Sequence, residues 1–298
     1  MAAQNGTDEK QFSQTTGAVP PMNGSTEARI QAEREFFNPM AYIHSGTEAR
    51  LPAFGGEFQP GLYRPVVARK FANPAPLGLC AFALTTFVLS AINLNTRGVN
   101  VPNIVVPLAL GYGGLVQLLA GMWEMAVGNT FGATALSSYG GFWIAYGILL
   151  TPNWNIIGKG GPYMTDAATA VDPRMNESAV GFFLTGWFIF TTILLLCTLR
   201  STVMFFMLFF TLDLAFLMLS CASYANNSGN MEIYHQLTKA GGGFGMMAAF
   251  LAWYNAFAGI ADSSNSFFLV PVFHFPWSEK GRENKADRRA SKTDRENA

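Results

Sequence analysis

The chain has 298 residues, of which 50% are hydrophobic and only 13% are charged, and its formal net charge is zero. A soluble globular chain is about one quarter charged, so this chain carries about half the usual share of charge. The balance of charges also gives no electrostatic basis for a nucleic-acid partner.

The charged residues are unevenly placed and divide the chain into three parts. Residues 1–72 are rich in Gly, Pro, Ser, Asn and Gln, and the residues after about 279 are densely charged. Such segments bury too little apolar surface to fold, so both ends are predicted to be largely disordered. We assign residues 1–72 to an N-terminal tail, 73–261 to a transmembrane domain and 262–298 to a C-terminal tail.

Between the tails, six long apolar stretches follow one another along the chain. They cover approximately residues 77–95, 104–124, 131–151, 179–199, 202–223 and 240–260. Each is close to the roughly 20 residues that a helix needs to cross the hydrocarbon core of a bilayer. Because a helix satisfies its own backbone groups in lipid, the predicted fold class is an all-α membrane protein with six transmembrane helices.

The positive charges near the predicted spans indicate an orientation. Those expected on one side are Arg64, Arg69, Lys70, Arg200, Lys280, Arg282 and Lys285, and those expected on the other are Arg97, Lys159, Arg174 and Lys239. An even number of spans puts both tails on one side, and the positive-inside rule makes that side cytoplasmic. The N-glycosylation sequons at Asn176 and Asn226 then fall in loops predicted to lie outside the cell.

The segment NPAPLGL, residues 73–79, precedes the first apolar stretch and has the features of a helix start. Asn73 is able to cap the helix, and Pro74 and Pro76 fix the backbone without removing a needed N–H group. The remaining free N–H groups of the first turn attract anions. From the residues alone, the favoured interpretation is an ordinary start of a transmembrane helix.

Three segments carry a resemblance to a known family: NPAPLGLCAFALTTFVLSAIN, YGGLVQLLAGMWEMAVGNTFGATALSSYGGFW and LCTLR. They resemble the acetate uptake transporters of bacteria and fungi, also called succinate–acetate permeases, over the region from Asn73 to about Ala261. The signature motif of the family is matched by Asn73, Pro74, Pro76 and Gly78. The resemblance implies uptake of acetate and other small monocarboxylates across the plasma membrane, together with protons. It also implies a multi-pass protomer that assembles as a homohexamer.

Polar residues recur at helical spacing on the first three predicted helices. The first helix has Phe82, Thr86, Leu89 and Asn93 on one face, beside Thr85, and the second has Gly114, Gln117, Gly121 and Glu124. Polar groups in hydrocarbon are costly unless they face the bundle interior, so these faces are expected to converge. The candidate substrate-binding residues are Thr85, Thr86, Gln117, Asn129, Thr130, Ser137 and Ser138. The alternative is that the small hydroxyl residues merely pack the helices together.

The family resemblance implies a constriction in the pathway. Relatives have a Phe, a Tyr and a Leu at this point on the first, third and fifth helices, and the matching residues here are Phe82, Tyr139 and Leu212. A ring of this kind excludes hydrated ions through the cost of dewetting and lets a small, weakly hydrated acid pass.

Two acidic residues are candidates for proton coupling. Glu124 lies at the end of the second predicted helix, where it is either a boundary charge or a proton-coupled group. Asp213 falls near the middle of the fifth, where an ionisable side chain is expensive and indicates function. The family resemblance does not lead us to expect an acid at this position.

No arrangement typical of an enzyme is apparent. His44, His235 and His274 all lie outside the predicted helices, so we expect no metal site, no cofactor and no enzymatic activity. A transporter explains the spans, the polar faces and the signature motif together, whereas a receptor or scaffold leaves the polar faces unexplained. Two alternatives stay open at this point: export of ammonia or ammonium, and passive flow of anions through a channel.

Overall fold

The computed structural model describes residues 71–157, 161–163, 175–262, 264–283 and 285–286. Nearly all of the predicted N-terminal tail and the last residues of the C-terminal tail lie outside this part of the chain. So do the basic residues Arg64, Arg69, Lys70, Lys159 and Arg174, on which the predicted orientation partly depends.

The described part of the chain contains six helical spans that are long and apolar enough to cross a membrane. They are Ala75–Asn93, Pro102–Val127, Thr130–Leu150, Met175–Arg200, Val203–Asn227 and Met231–Ile260, referred to here as the first to the sixth span. Within the described residues, β-structure is limited to one isolated pairing, between Thr202 and His274. The predicted fold class, an all-α membrane protein with six transmembrane helices, is therefore confirmed.

The first span begins with the signature motif. Its helix starts at Ala75, and the Asn73 Oδ1 atom accepts a hydrogen bond from the Ala75 N–H at 3.1 Å. Pro76 lies in the first turn, where a backbone N–H has no helical partner to lose. Gly78 faces the third span, and a Cβ atom at this position would lie 2.5 Å from the Leu136 side chain. The motif thus starts the helix and permits a close contact between spans.

The second span is not a continuous α-helix. A 3-10 turn, Pro102–Ile104, leads into an α-helix, Val105–Leu110, which is followed by a π-helical turn, Gly111–Val116. The α-helix Gln117–Val127 completes the span. A π-helical turn is wider than an α-helical turn and is frequent at functional sites. Here it leads directly into Gln117.

The sixth span begins earlier than the sequence predicts. Its helix starts at Met231 instead of residue 240, and the Asn230 side chain caps it by accepting a hydrogen bond from the Ile233 N–H at 3.2 Å. The prediction that His235 lies outside the helices is therefore wrong. The first turns of this helix are polar and mostly exposed, so the apolar stretch did not reveal them.

The asparagines of both sequons lie in helices and not in loops. Asn176 is buried in the first turn of the helix Met175–Cys197, and Asn226 is in the last turn of Val203–Asn227. The prediction of two loop sequons is therefore wrong, because both helices continue through polar residues that flank the apolar stretches. A buried asparagine is also a poor acceptor for a bulky glycan.

The spans pack in a regular order around a buried core. The first span packs against the sixth, the sixth against the fifth and the fifth against the fourth, while the second packs against the third. Aromatic side chains fill much of the interior. Phe142 of the third span, for example, contacts Phe183, Trp187 and Phe216 of the fourth and fifth, with ring centroids 5.1 to 5.7 Å apart.

A close approach of the second and third spans leads to a testable prediction. A Cβ atom on Gly140 would lie 2.7 Å from the Leu118 backbone nitrogen, whereas one on the neighbouring Gly141 would meet nothing within 4 Å. Gly140→Ala should therefore force the two helices apart and lower the free energy of unfolding by about 1–3 kcal/mol. Thermal unfolding of the detergent-solubilised protein measures the effect. Gly141→Ala is the matched control and should leave the melting temperature unchanged or slightly raised; equal melting temperatures for the two variants would contradict the prediction.

The segment that follows the sixth span folds back onto the bundle. The Val203 N–H donates to the Phe273 carbonyl at 2.8 Å, and the Trp277 indole N–H donates to the Leu199 carbonyl at 2.8 Å. The Phe206 and Phe275 rings pack edge to face with centroids 5.6 Å apart. These contacts attach the segment to the connection between the fourth and fifth spans.

His274 lies in the same segment and pairs with Thr202 through its backbone. Burial lowers the pKa of the His274 imidazole, and the nearby Lys280 charge lowers it further. Protonation thus favours release of the histidine from its packed position. The attachment is expected to be strongest above the ordinary histidine pKa of about 6.5 and to weaken as the pH falls below it.

Candidate functional site

The interior of the bundle narrows where the first, third and fifth spans meet. Phe82 and Tyr139 face each other with ring centroids 5.9 Å apart, and Leu212 lies beside them. All three side chains are buried. The structure thus brings together the three residues that the family resemblance marks as a constriction.

Two cavities meet at this narrow point. The larger has a volume of about 260 Å³ and is lined by the first, third, fourth, fifth and sixth spans. The smaller has a volume of about 20 Å³ and is lined by the first, second, third and fifth spans. Phe82 and Leu212 line both cavities, and Tyr139 lines the smaller one. We call them the large cavity and the narrow cavity.

The large cavity contains several buried polar atoms with no hydrogen-bond partner among the described residues. They are Thr86 Oγ1, Trp143 Nε1, Asn176 Oδ1 and Thr238 Oγ1. A buried polar group without a partner is costly and usually indicates a water molecule or a ligand. Thr86 was expected here from its position on the first helix. The other three were missed, because Asn176 and Thr238 fall outside the predicted spans and a tryptophan within an apolar stretch gives no distinct signal of a site.

Gln117 is the polar residue of the narrow cavity. Its side chain is fully buried, and neither its Oε1 nor its Nε2 atom has a hydrogen-bond partner among the described residues. The other lining residues, apart from Tyr139, are apolar. The carboxamide is therefore a buried polar group that the described residues leave unsatisfied.

The Tyr139 hydroxyl is held by the fourth span. It lies 2.9 Å from Thr191 Oγ1, and the Thr191 hydroxyl in turn donates to the Trp187 carbonyl at 2.7 Å. Because the single hydroxyl proton of Thr191 is used in this second bond, the Tyr139 hydroxyl donates to Thr191. The ring of Tyr139 is thereby fixed at the constriction.

Several predicted substrate-binding residues line neither cavity. The Thr85 hydroxyl donates to the Ala81 carbonyl of its own helix at 2.9 Å, and Thr130 is exposed. Ser137 lies against Gly121 of the second span, and Ser138 is half-buried. For these residues the structure offers helix packing or a local hydrogen bond, as the alternative explanation from sequence anticipated.

Glu124 and Asn129 form a buried pair at the turn between the second and third spans. The Asn129 Nδ2 group donates to Glu124 Oε2 at 2.6 Å, and Asn129 Oδ1 accepts from the Gly132 N–H at 3.0 Å. Gly128 makes the turn with a φ of 88°. Asn129 is thus the N-cap of the third span and also ties that span to the second.

Asp213 lies next to Leu212 in the chain, but it does not line either cavity. It accepts a hydrogen bond from the Thr192 hydroxyl at 2.8 Å, on the side of the fourth span. Thr192 adjoins Thr191, which accepts from Tyr139. The acid is therefore separated from the constriction by two neighbouring threonines.

The cavities carry little charge. Among the residues that the structure describes, neither cavity is lined by a lysine, arginine or histidine, and the large cavity has one charged lining residue, Glu177. Among the described residues, no group of three or more His, Cys, Asp or Glu side chains is placed to hold a metal ion.

Comparison with known proteins identifies the family of this chain. The model of the GPR1/FUN34/yaaH family matches residues 54–277. The chain belongs to the GPR1/FUN34/yaaH family. The family match spans all six transmembrane helices and both cavities. It also extends to Trp277, so it includes the segment that folds back after the sixth span.

Named relatives place this GPR1/FUN34/yaaH chain among transport proteins. Acetate permease A of Emericella nidulans is 62% identical over 87% of this chain and 83% of its own length. Ammonia transport outward protein 2 of Saccharomyces cerevisiae is 47% identical over 80% of each chain. A solved structure, described as that of the bacterial acetate channel SatP, is 32% identical and covers 63% of this chain and 91% of its own, with a TM-score of 0.49.

Proposed function

We propose that this protein transports acetate and related short-chain monocarboxylates across the plasma membrane, linked to protons. The observation that carries the proposal is the meeting of two cavities at Phe82, Tyr139 and Leu212. The identity of 62% to Acetate permease A supports acetate as the substrate. The signature motif and its family resemblance support a homohexamer as the working assembly.

The path runs from the large cavity, past the constriction, into the narrow cavity. Thr86 and Gln117 are the substrate-binding residues that this geometry favours, since each has a buried polar atom without a hydrogen-bond partner among the described residues and each lines one of the two cavities. The apolar ring between them makes passage of a hydrated ion costly, because the ion would lose its water without gaining a replacement. A small carboxylic acid has less hydration to lose.

Proton linkage has two candidate residues with different surroundings. Asp213 is bonded to Thr192 near the constriction, and Glu124 is bonded to Asn129 at the turn of the second and third spans. Asp213 is the stronger candidate, because Glu124 has a structural explanation in the cap of the third span. Asp213→Asn should change the pH dependence of uptake, and an unaltered pH profile in a normally assembled variant would remove Asp213 from the mechanism.

Ammonium export is a second candidate function. It is supported by the 47% identity to Ammonia transport outward protein 2 and by the lining of the large cavity, where Glu177 lies with the aromatic residues Trp143, Tyr146 and Tyr234. Carboxylates and aromatic faces attract cations. The narrow cavity favours the carboxylic acid, because its polar group is an amide and not a carboxylate.

The experiment that tests the proposed function is uptake of radiolabelled acetate into liposomes that contain the purified protein. Initial rates are measured with and without an imposed pH gradient, and protein-free liposomes correct for acid that crosses the lipid unaided. Saturable uptake that the gradient accelerates would support proton-linked transport, whereas uptake indifferent to the gradient indicates an anion channel. Absence of acetate uptake together with flux of labelled methylammonium would favour the second candidate.

A further inference from the structure

An uncharged segment follows the sixth span and carries several exposed apolar side chains. From Ser264 to Ser278 the chain has no aspartate, glutamate, lysine or arginine. We call residues 264–277 the return segment. Five of its large apolar side chains are at least 55% exposed, and that of Phe267 is fully exposed; the five are Phe267, Phe268, Leu269, Phe273 and Trp277. A patch of this kind indicates contact with lipid or with another protein.

Hydrogen bonds hold the return segment against the ends of three spans. The Tyr254 hydroxyl of the sixth span donates to the Pro271 carbonyl, and the Trp277 indole N–H donates to the Leu199 carbonyl of the fourth at 2.8 Å. Because consecutive spans alternate in direction, the end of the fourth span, the start of the fifth and the end of the sixth lie at the same membrane face. The return segment therefore stays at this face and does not lead away from it.

Aromatic contacts fix the depth of the return segment. Phe268 packs against Phe257 with ring centroids 6.0 Å apart, and Phe275 packs against Phe206 at 5.6 Å. Phe257 lies three residues before the end of its helix and Phe206 three residues after the start of its own, which is about 5 Å along each axis. Tyr254 lies about 9 Å before the end of the sixth span. Interfacial segments lie at such depths, about 5–10 Å into the boundary between headgroups and acyl chains.

The rings that the return segment contacts belong to exposed faces of the spans. Phe257 is 45% exposed, and Phe206 stacks on Phe210, which is 39% exposed, with centroids 6.0 Å apart. The sixth span is apolar up to its last residue, Ile260, which is also exposed. Exposed apolar side chains at the end of a membrane span face lipid. The neighbouring side chains of the return segment lie on the same surface.

The backbone of the return segment limits how deep it can lie. Residues 267–273 form neither helix nor strand, so their backbone groups need water and are not stable in hydrocarbon. Pro271 and Pro276 have no N–H group, which reduces this need. Trp277 donates its N–H to the protein while its ring is 55% exposed, and such amphipathic rings are enriched at membrane interfaces. The headgroup region provides water for the backbone and an apolar environment for the rings.

We propose that the return segment is an interfacial anchor, which inserts Phe267, Phe268 and Leu269 into the phospholipid surface at the membrane face where the sixth span ends. Lipid is favoured over a second copy of the chain because the segment combines irregular backbone, exposed aromatic rings and attachment at interfacial depth. The anchor is independent of the substrate that the protein carries.

The test is fluorescence quenching of a label at residue 267 in the full chain, reconstituted into phosphatidylcholine liposomes. Phe267→Cys carries an NBD label, and the signal of the native cysteines is measured on the unsubstituted chain and subtracted. Brominated phosphatidylcholine detects contact with lipid, and iodide detects contact with water. Glu232→Cys, in the exposed first turn of the sixth span, is the control. Brominated lipid should quench the label at residue 267 at least about threefold more than at residue 232, and iodide should show the reverse order.

A charge within the anchor provides a second test. Leu269 is 67% exposed, so its replacement disturbs no packed core. Leu269→Asp places a carboxylate at the lipid boundary and should lower quenching of the residue 267 label by brominated lipid at least about twofold. Leu269→Ile keeps the apolar side chain and should leave quenching unchanged. Size-exclusion chromatography confirms that both variants assemble like the unsubstituted protein.

The outcomes separate lipid from the other environments. Equal iodide quenching at residues 267 and 232 would place the segment in water and overturn the proposal. Protection of residue 267 from both quenchers would also overturn it and would indicate that a neighbouring copy of the chain covers the segment. Quenching by brominated lipid that persists in Leu269→Asp would show that the apolar side chains do not hold the segment at the membrane.

Discussion

Replacing Phe82 with alanine is expected to open the constriction to small hydrated ions. The Phe82 ring closes the space between the two cavities together with Tyr139 and Leu212. Removing it lets water bridge the cavities, so an ion no longer has to shed its hydration shell. Chloride or sodium leak through liposomes should rise at least about tenfold, since each ~1.4 kcal/mol removed from a barrier gives that factor.

The leak is measured by ion-sensitive dyes trapped inside the liposomes, and folding is checked by size-exclusion chromatography. This check is needed because truncation of a buried phenylalanine costs about 3–5 kcal/mol. Phe182→Ala, on the exposed side of the fourth span, is the control and should not leak. Leu212→Ala truncates the side chain that the fifth span contributes to the constriction, and this variant should leak as well. Intact ion exclusion in both constriction variants would contradict the assigned role.

Exchanging Asn129 for aspartate is expected to destabilise the protein strongly through Glu124. The aspartate keeps the cap of the third span, but it places a second carboxylate where an amide now donates to Glu124 Oε2 at 2.6 Å. Two buried carboxylates at this distance repel each other, and one of them must take up a proton or move apart. Loss of a hydrogen bond to a buried charged group lowers the free energy of unfolding by about 1–3 kcal/mol, and the repulsion adds to this loss.

A second substitution should reverse this loss. Asn129→Asp combined with Glu124→Gln restores one donor and one acceptor, so the melting temperature of the double variant should return toward that of the wild type. Glu124→Gln alone keeps an acceptor for Asn129 and should fold. If its acetate uptake then retains the wild-type pH profile, Glu124 is a structural link between spans and not a proton carrier. Additive losses in the double variant would show that the two side chains do not act as a pair.

The six spans could be predicted from the sequence because each has a long apolar stretch, but their polar ends could not. The turns around His235 are polar and exposed, yet they are helical because a helix satisfies its backbone groups and Asn230 caps the chain. Asn176 was interpreted as a loop residue for the same reason. The length of an apolar stretch predicts the part of a helix that crosses lipid, but it does not predict the polar part that continues beyond the membrane.

Less of the candidate site than of the fold could be predicted from the sequence alone. Polarity singled out Gln117, which is too large and too polar to be explained by packing, whereas Phe82 and Tyr139 were identified only through the family resemblance. Thr85 and Thr86 are adjacent and chemically identical, yet Thr85 bonds to its own helix and Thr86 faces the large cavity. A hydroxyl can satisfy itself locally or face a ligand, and spacing along the helix does not distinguish the two.

The π-helical turn Gly111–Val116 has a consequence for aligning this chain with its relatives. A wide turn of this kind holds about one residue more than the α-helix it replaces, and one residue corresponds to about 100° of rotation. Loss of a single residue here would therefore restore an ordinary helix and keep Gln117–Val127 in phase with the third span. Elsewhere in the span, the same deletion would turn Gln117 out of the narrow cavity. A relative that lacks one residue in the turn Gly111–Val116 can therefore keep the residue that matches Gln117 on the same face of the second span.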